Sequence, residues 1–226
     1  LKTKLLILCA IAAVCFSDRL PAQIRDAGLW AEAEGEFRLN PFWTAEAVAE
    51  LRLHENLTEA GAFIAEAGLQ RSLGERWRVG CGMRMTLNQQ LDRTFEFRNR
   101  AYADVRYRYK MSRVDITGRL HYMQQSEGWL WDDLKPAADH YLRAGAELKW
   151  KFTSAIRPFL AGEIYYPLAF SLMPYPDKVR CRAGFEYRLS KVHAFELGFM
   201  WQQELNVPEP GIDYVGFVGY SFAPRW

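Results

Sequence analysis

Apolar and polar residues alternate along most of this chain with a period of two, the signature of strands with two unlike faces. In WTAEAVAELRLH, Ala45, Ala47, Ala49, Leu51 and Leu53 share one face, while Thr44, Glu46, Val48, Glu50, Arg52 and His54 share the other. WRVGCGMRMTL sets Trp77, Val79, Cys81, Met83, Met85 and Leu87 against Arg78, Gly80, Gly82, Arg84 and Thr86. FRNRAYADVRYRY repeats the arrangement, with Ala101, Ala103, Val105, Tyr107 and Tyr109 opposed to Arg98, Arg100, Tyr102, Asp104, Arg106 and Arg108. No long segment beyond the N-terminal one prefers the helical period of 3.6. The pattern predicts strands near 28–38, 43–54, 59–71, 77–88, 95–109, 114–124, 140–151, 157–166, 178–188, 193–204 and 212–222. Short connections near positions 40, 74, 111, 153 and 190 alternate with longer ones rich in Pro, Asp and Gln, ENLTE being the exception.

The first residues break the alternation. Lys2 and Lys4 precede an apolar run from Leu5 to Phe16, too short for a helix that must span a bilayer with roughly 20 residues. It reads as an export signal over residues 1–22, cut after Leu20-Pro21-Ala22, leaving a single domain over 23–226. Two of the four cysteines fall in the signal, and the remaining pair, Cys81 and Cys181, has no spacing that argues for a disulfide or a metal.

Composition narrows the class further. Of 226 residues 50% are apolar and 15% aromatic, which excludes a disordered chain, and 29 Lys and Arg against 27 Asp and Glu give no basic face for nucleic acid. An exported all-β protein remains. Its predicted strands exceed the modal 5 to 6 residues of sandwich strands and match the 9 to 11 that a tilted strand needs to cross hydrocarbon. Aromatics gather beside the short turns, at Phe37, Phe42, Trp43, Trp77, Tyr107, Tyr109, Trp150, Phe152, Phe159, Tyr187, Phe195 and Phe222, where rings settle at a water–lipid boundary. Tyr122, Tyr141, Tyr165, Tyr166 and Trp201 are candidates for the opposite girdle. The expectation is an all-β transmembrane antiparallel β-barrel of about 10–12 strands; the competing fold is a secreted soluble β-barrel binding protein with its apolar face inward. Single-chain outer-membrane barrels usually have an even strand number, so eleven candidates imply that 28–38 stands outside the wall or that one strand is missed.

Several loose motifs carry a resemblance. The Gly-Leu-Trp ending at residue 30, ELRL at 50–53, the strand ends YRYK and EYRL, FLAGEIYY at 159–166 and the closing YVGFVGYSF resemble an uncharacterised family of bacterial outer-membrane β-barrels common in Bacteroidota. The resemblance implies the outer membrane of a Gram-negative cell, with its lipid as partner, and no assigned activity.

With apolar residues facing lipid, the charged face lines the lumen, and its charges are unevenly placed. Glu32, Glu34, Glu36, Glu46, Glu50 and Glu66 on the first three strands outnumber Arg38 and Arg52; on the next three, Arg78, Arg84, Arg98, Arg100, Arg106, Arg108 and Arg119 outnumber Glu96, Asp104 and Asp115. Glu163 and Arg182 continue the lining on later strands. Such an interior serves either as a narrow pore for small polar solutes or as a polar plug of an envelope structural protein. The runner-up class is an outer-membrane hydrolase using His54, His121 or His140 with Asp132, Asp133 or Asp139 and Ser126. No GxSxG or HExxH motif supports it, so the expectation is no enzyme, no cofactor and no metal.

Overall fold

The computed structural model describes residues 25–54, 59–89, 94–127, 139–168, 175–208 and 210–224. All eleven predicted strands form: β1 (Arg25–Arg38), β2 (Trp43–His54), β3 (Glu59–Leu73), β4 (Trp77–Gln89), β5 (Phe95–Lys110), β6 (Val114–Glu127), β7 (Asp139–Trp150), β8 (Ile156–Pro167), β9 (Lys178–Arg188), β10 (His193–Glu204) and β11 (Ile212–Phe222). Each pairs with its sequence neighbour in antiparallel fashion, and together they close a barrel. The expected export signal over residues 1–22, and Asp132 and Asp133, lie outside the described residues.

Closure corrects the parity expectation. β1 belongs to the wall and pairs β11 in parallel, in register from Arg25↔Ile212 to Gly35↔Phe222. An odd number of up-and-down strands brings the first and last alongside each other pointing the same way, so a parallel ladder closes the sheet and no strand is missing. Arg25 consequently lies at the long-loop end and Phe222 at the short-turn end.

Local chemistry sets the short turns. Asn40 Oδ1 accepts from the backbone N–H of Phe42 and Trp43 at 2.9 Å each, Thr153 Oγ1 from Ile156 at 2.8 Å, and Ser190 Oγ from Val192 and His193 at 3.1 and 3.0 Å. These are side-chain mimics of a backbone turn. The turn between β3 and β4 instead uses Gly74 at φ 80°, a left-handed conformation that favours glycine.

The two wall faces separate as the alternation predicts. Leu120, Leu160 and Leu197 point outward, at 48%, 53% and 50% exposure, whereas Met123 and Met200 point inward at 3% and 1%. An exterior this apolar is the arrangement a bilayer solvates and the inverse of a soluble barrel. The short-turn girdle stands, with Arg71 over the Trp43 ring and Arg76 over that of Tyr109, at 5.6 and 5.4 Å. Three of the predicted girdle residues are corrected. Phe159 is 5% exposed and faces inward opposite Lys149 and Gly184, Tyr165 hydrogen-bonds lumen groups, and Tyr141 pairs with inward Met123. Each occupies an inward slot of the two-residue period, and proximity to a turn says nothing about face.

The parallel seam is testable. An epitope inserted directly ahead of Arg25 and one placed after Pro224 should be labelled from opposite sides of the membrane in intact cells; labelling from the same side overturns this topology.

Candidate functional site

The interior is the candidate site, since the exterior presents an almost unbroken apolar belt. Register places all twelve predicted lumen residues on the inner face: Glu32 and Glu34 on β1, Glu46 and Glu50 on β2, Glu66 on β3, Arg84 on β4, Arg100, Arg106 and Arg108 on β5, Arg119 on β6, Glu163 on β8 and Arg182 on β9. The acidic and basic walls are not left to face each other across open space. They pair.

Arg106 is the hub. Its Nε donates to Asp104 Oδ2 at 2.8 Å, and its Nη2 lies 3.5 Å from Glu46 Oε2, a reach from β5 to β2 over two intervening strands. Asp104 is also 3.3 Å from Arg119 Nε, and Glu46 accepts from the Gln70 amide. Arg84 Nε meets Glu66 at 2.6 Å between neighbouring strands. Near the short turns, Asp115 accepts from Arg108 at 2.8 Å and pairs Lys151 at 2.7 Å, while Glu186 binds Lys149 of β7 at 2.7 Å and Arg188 at 2.5 Å. Glu163 lies between Arg143 and Arg180, at 3.8 and 3.5 Å. Removing one partner of such an enclosed pair costs about 3–5 kcal/mol, because the other charge is stranded.

The compensation is incomplete. Among the described residues, Glu32, Glu34 and Glu36 of β1, Glu196 of β10, and Arg78, Arg100, Arg157 and Arg182 make no ion pair, although all face the lumen. Ligand atoms of Glu34, Glu36 and Glu46 lie within 4.8 Å of one another, an all-oxygen donor set suited to a hard divalent cation. Arg106 beside Glu46 already supplies part of the countercharge.

Sequence reasoning missed the apolar part of the lumen. Phe159, Met200, Val215 and Phe217 form a buried cluster inside the barrel, with Trp30 packed against it. The Arg52 guanidinium lies 3.7 Å from the Trp30 ring centroid and that of Arg180 5.1 Å, holding the indole between two cations. Phe159 on β8 and Phe217 on β11 have centroids 6.1 Å apart. In YVGFVGYSF both faces are apolar, so the alternation has no contrast there. Inward glycines make room for the rings: a Cβ on Gly198 would overlap Phe217, and one on Gly82 would come within 2.5 Å of the Tyr102 hydroxyl. Tyr102 also stacks on His121 at 4.8 Å.

Among the described residues of the hydrolase alternative, His121 is buried inside the lumen, whereas His140 and Ser126 take outward positions on β7 and β6, His140 with its Nδ1 2.7 Å from the Tyr122 hydroxyl.

Ring-over-glycine packing predicts a contrast. Gly82→Ala should destabilise the barrel by about 1–3 kcal/mol through overpacking, while Gly118→Ala, where a Cβ meets nothing within 4 Å, should change stability by less than about 0.5 kcal/mol. Urea unfolding in phospholipid vesicles, followed by tryptophan fluorescence, measures both.

Among solved structures, the chain is similar to the beta domain of the Bordetella autotransporter BrkA, with 9% identity, 79% of this chain and 82% of that one covered and a TM-score of 0.46. It is also similar to the translocator domain of autotransporter NalP from Neisseria meningitidis, at 10% identity, 73% and 70% coverage and a TM-score of 0.39. Both likenesses are distant, and nothing of either protein's role transfers through them. No curated protein matches the chain. The family described as "Protein of unknown function (DUF2490)" matches residues 27–209, from the start of β1 to the last loop, and the chain belongs to that family.

Proposed function

We propose that this protein is an outer-membrane barrel whose lumen is closed by its own side chains, so that it serves the envelope as a structural or binding element and not as an open channel. The membrane part of the reading is supported by the exterior, where leucine, methionine and aromatic side chains stand exposed around the wall. Water would leave that belt unsatisfied, and hydrocarbon does not.

The observation that favours closure is a set of interior contacts that each bridge three strands' width. Arg106 reaches Glu46 from β5 to β2, Phe159 meets Phe217 from β8 to β11, and Arg180 meets Trp30 from β9 to β1. An eleven-strand barrel lies between the side-chain-filled eight and the open sixteen of porins, so chords of this length take up much of its cross-section. A pore for small polar solutes would need a continuous water path past all three.

Single-channel recording in planar bilayers tests the reading. The native protein should show no stepwise conductance, and the double variant Phe159→Ala/Phe217→Ala should gain small steps. Regular conductance steps from the native protein would replace the closed barrel with a pore.

A further inference from the structure

We infer that the long-loop mouth of the lumen contains a binding site for a compact oxyanion of the phosphate class, either free in solution or carried on a lipid headgroup. The inference is independent of whether the lumen conducts.

Just inside that mouth is a cavity of about 220 Å³, lined by Arg52 of β2, Arg84 and Asn88 of β4, Arg98 and Arg100 of β5, and Gln125 of β6. Four guanidinium groups border it, and among the described residues no carboxylate does. The strands impose this crowding. Arg98 and Arg100 are successive inward positions of one strand, and Arg84 stands directly across from Arg100 in the β4–β5 ladder. Like charges directly opposite each other in a sheet are destabilising, so the arrangement is costly unless something negative joins it.

The carboxylates nearby do not finish the task. Arg52 and Arg84 each give Nε to a glutamate, Glu50 at 2.8 Å and Glu66 at 2.6 Å, and Arg98 pairs with Glu96 at 2.9 Å. The Nη groups of Arg52 and Arg84 make no hydrogen bond to a described residue. Arg100 has no carboxylate at all: its polar contacts are the Gln125 side-chain oxygen and the Met123 sulfur, 3.8 Å away. A guanidinium fork whose only partners are neutral keeps both its charge and its directional donors available. Asn88 and Gln125 add amide groups that can turn to donate.

These features select the ligand. Converging forks suit an oxyanion with several acceptor oxygens and more than one charge, which is the chemistry of a phosphate monoester or inorganic phosphate. The volume admits such a head and excludes a nucleotide or an oligosaccharide.

Isothermal titration of the detergent-solubilised full chain tests the site with two probes, inorganic phosphate and short-chain phosphatidic acid. Saturable binding of either supports the site, and which one binds names the source. Arg100→Gln should weaken that binding by about tenfold or more, while Arg182→Gln, elsewhere in the lumen, should leave it unchanged. In phosphate-free buffer Arg100→Gln should unfold at the same temperature as the native chain or higher, because it relieves repulsion with Arg84; bound probe should raise the native chain's midpoint more than the variant's. The site is overturned if neither probe binds, if Arg100→Gln binds as the native chain does, or if the variant unfolds earlier in phosphate-free buffer.

Discussion

Backbone hydrogen bonding in a solvent that offers none is the constraint from which this architecture follows. Each N–H and C=O on a strand facing hydrocarbon needs a protein partner, and only a sheet with no edge supplies one for all of them. Eleven strands meet the requirement by letting β1 and β11 run side by side. Once the sheet is closed, the two-residue period divides every strand between lipid and lumen, and the charged residues have nowhere to go but inside.

Enclosure then governs the interior. Charges removed from bulk water must find one another, so Arg106 extends over two strands to Glu46, and Asp115 gathers Arg108 and Lys151. Where volume remains, rings fill it over glycines, as Phe217 does over Gly198. Among the charges left over, the acidic ones are concentrated on β1, and Arg100, an arginine without a carboxylate, stands at the loop-side mouth.

Much of this was legible in the chain because strand period and lumen chemistry coincide. From β2 to β6, arginine and glutamate alternate with leucine, methionine and alanine, and the inward set could be read residue by residue. The reading fails where contrast fails. In β11, Val215 and Val218 look alike in sequence yet face opposite ways, and Phe159 beside a turn looks like a girdle residue but packs inside. Strand parity escapes the sequence for another reason: period two states how a strand is faced and nothing about which strand completes the circle. Partner choice across the lumen, such as Arg180 with Trp30, depends on curvature and was out of reach.

The parallel ladder between β1 and β11 also dictates an order of events. Its partners stand nearly the whole chain apart, Arg25 with Ile212 and Gly35 with Phe222, and the chain-entropy cost of bringing such distant segments together rises with their separation. Until β11 has been synthesised and delivered, β1 can satisfy only its β2 side, leaving a row of unpaired amides that any other strand might take. Its slanted bonds are also slightly weaker per residue than those of the ten antiparallel ladders. The last eleven residues of the sheet therefore act as its latch, and a nascent chain without them is an open ribbon in need of a chaperone.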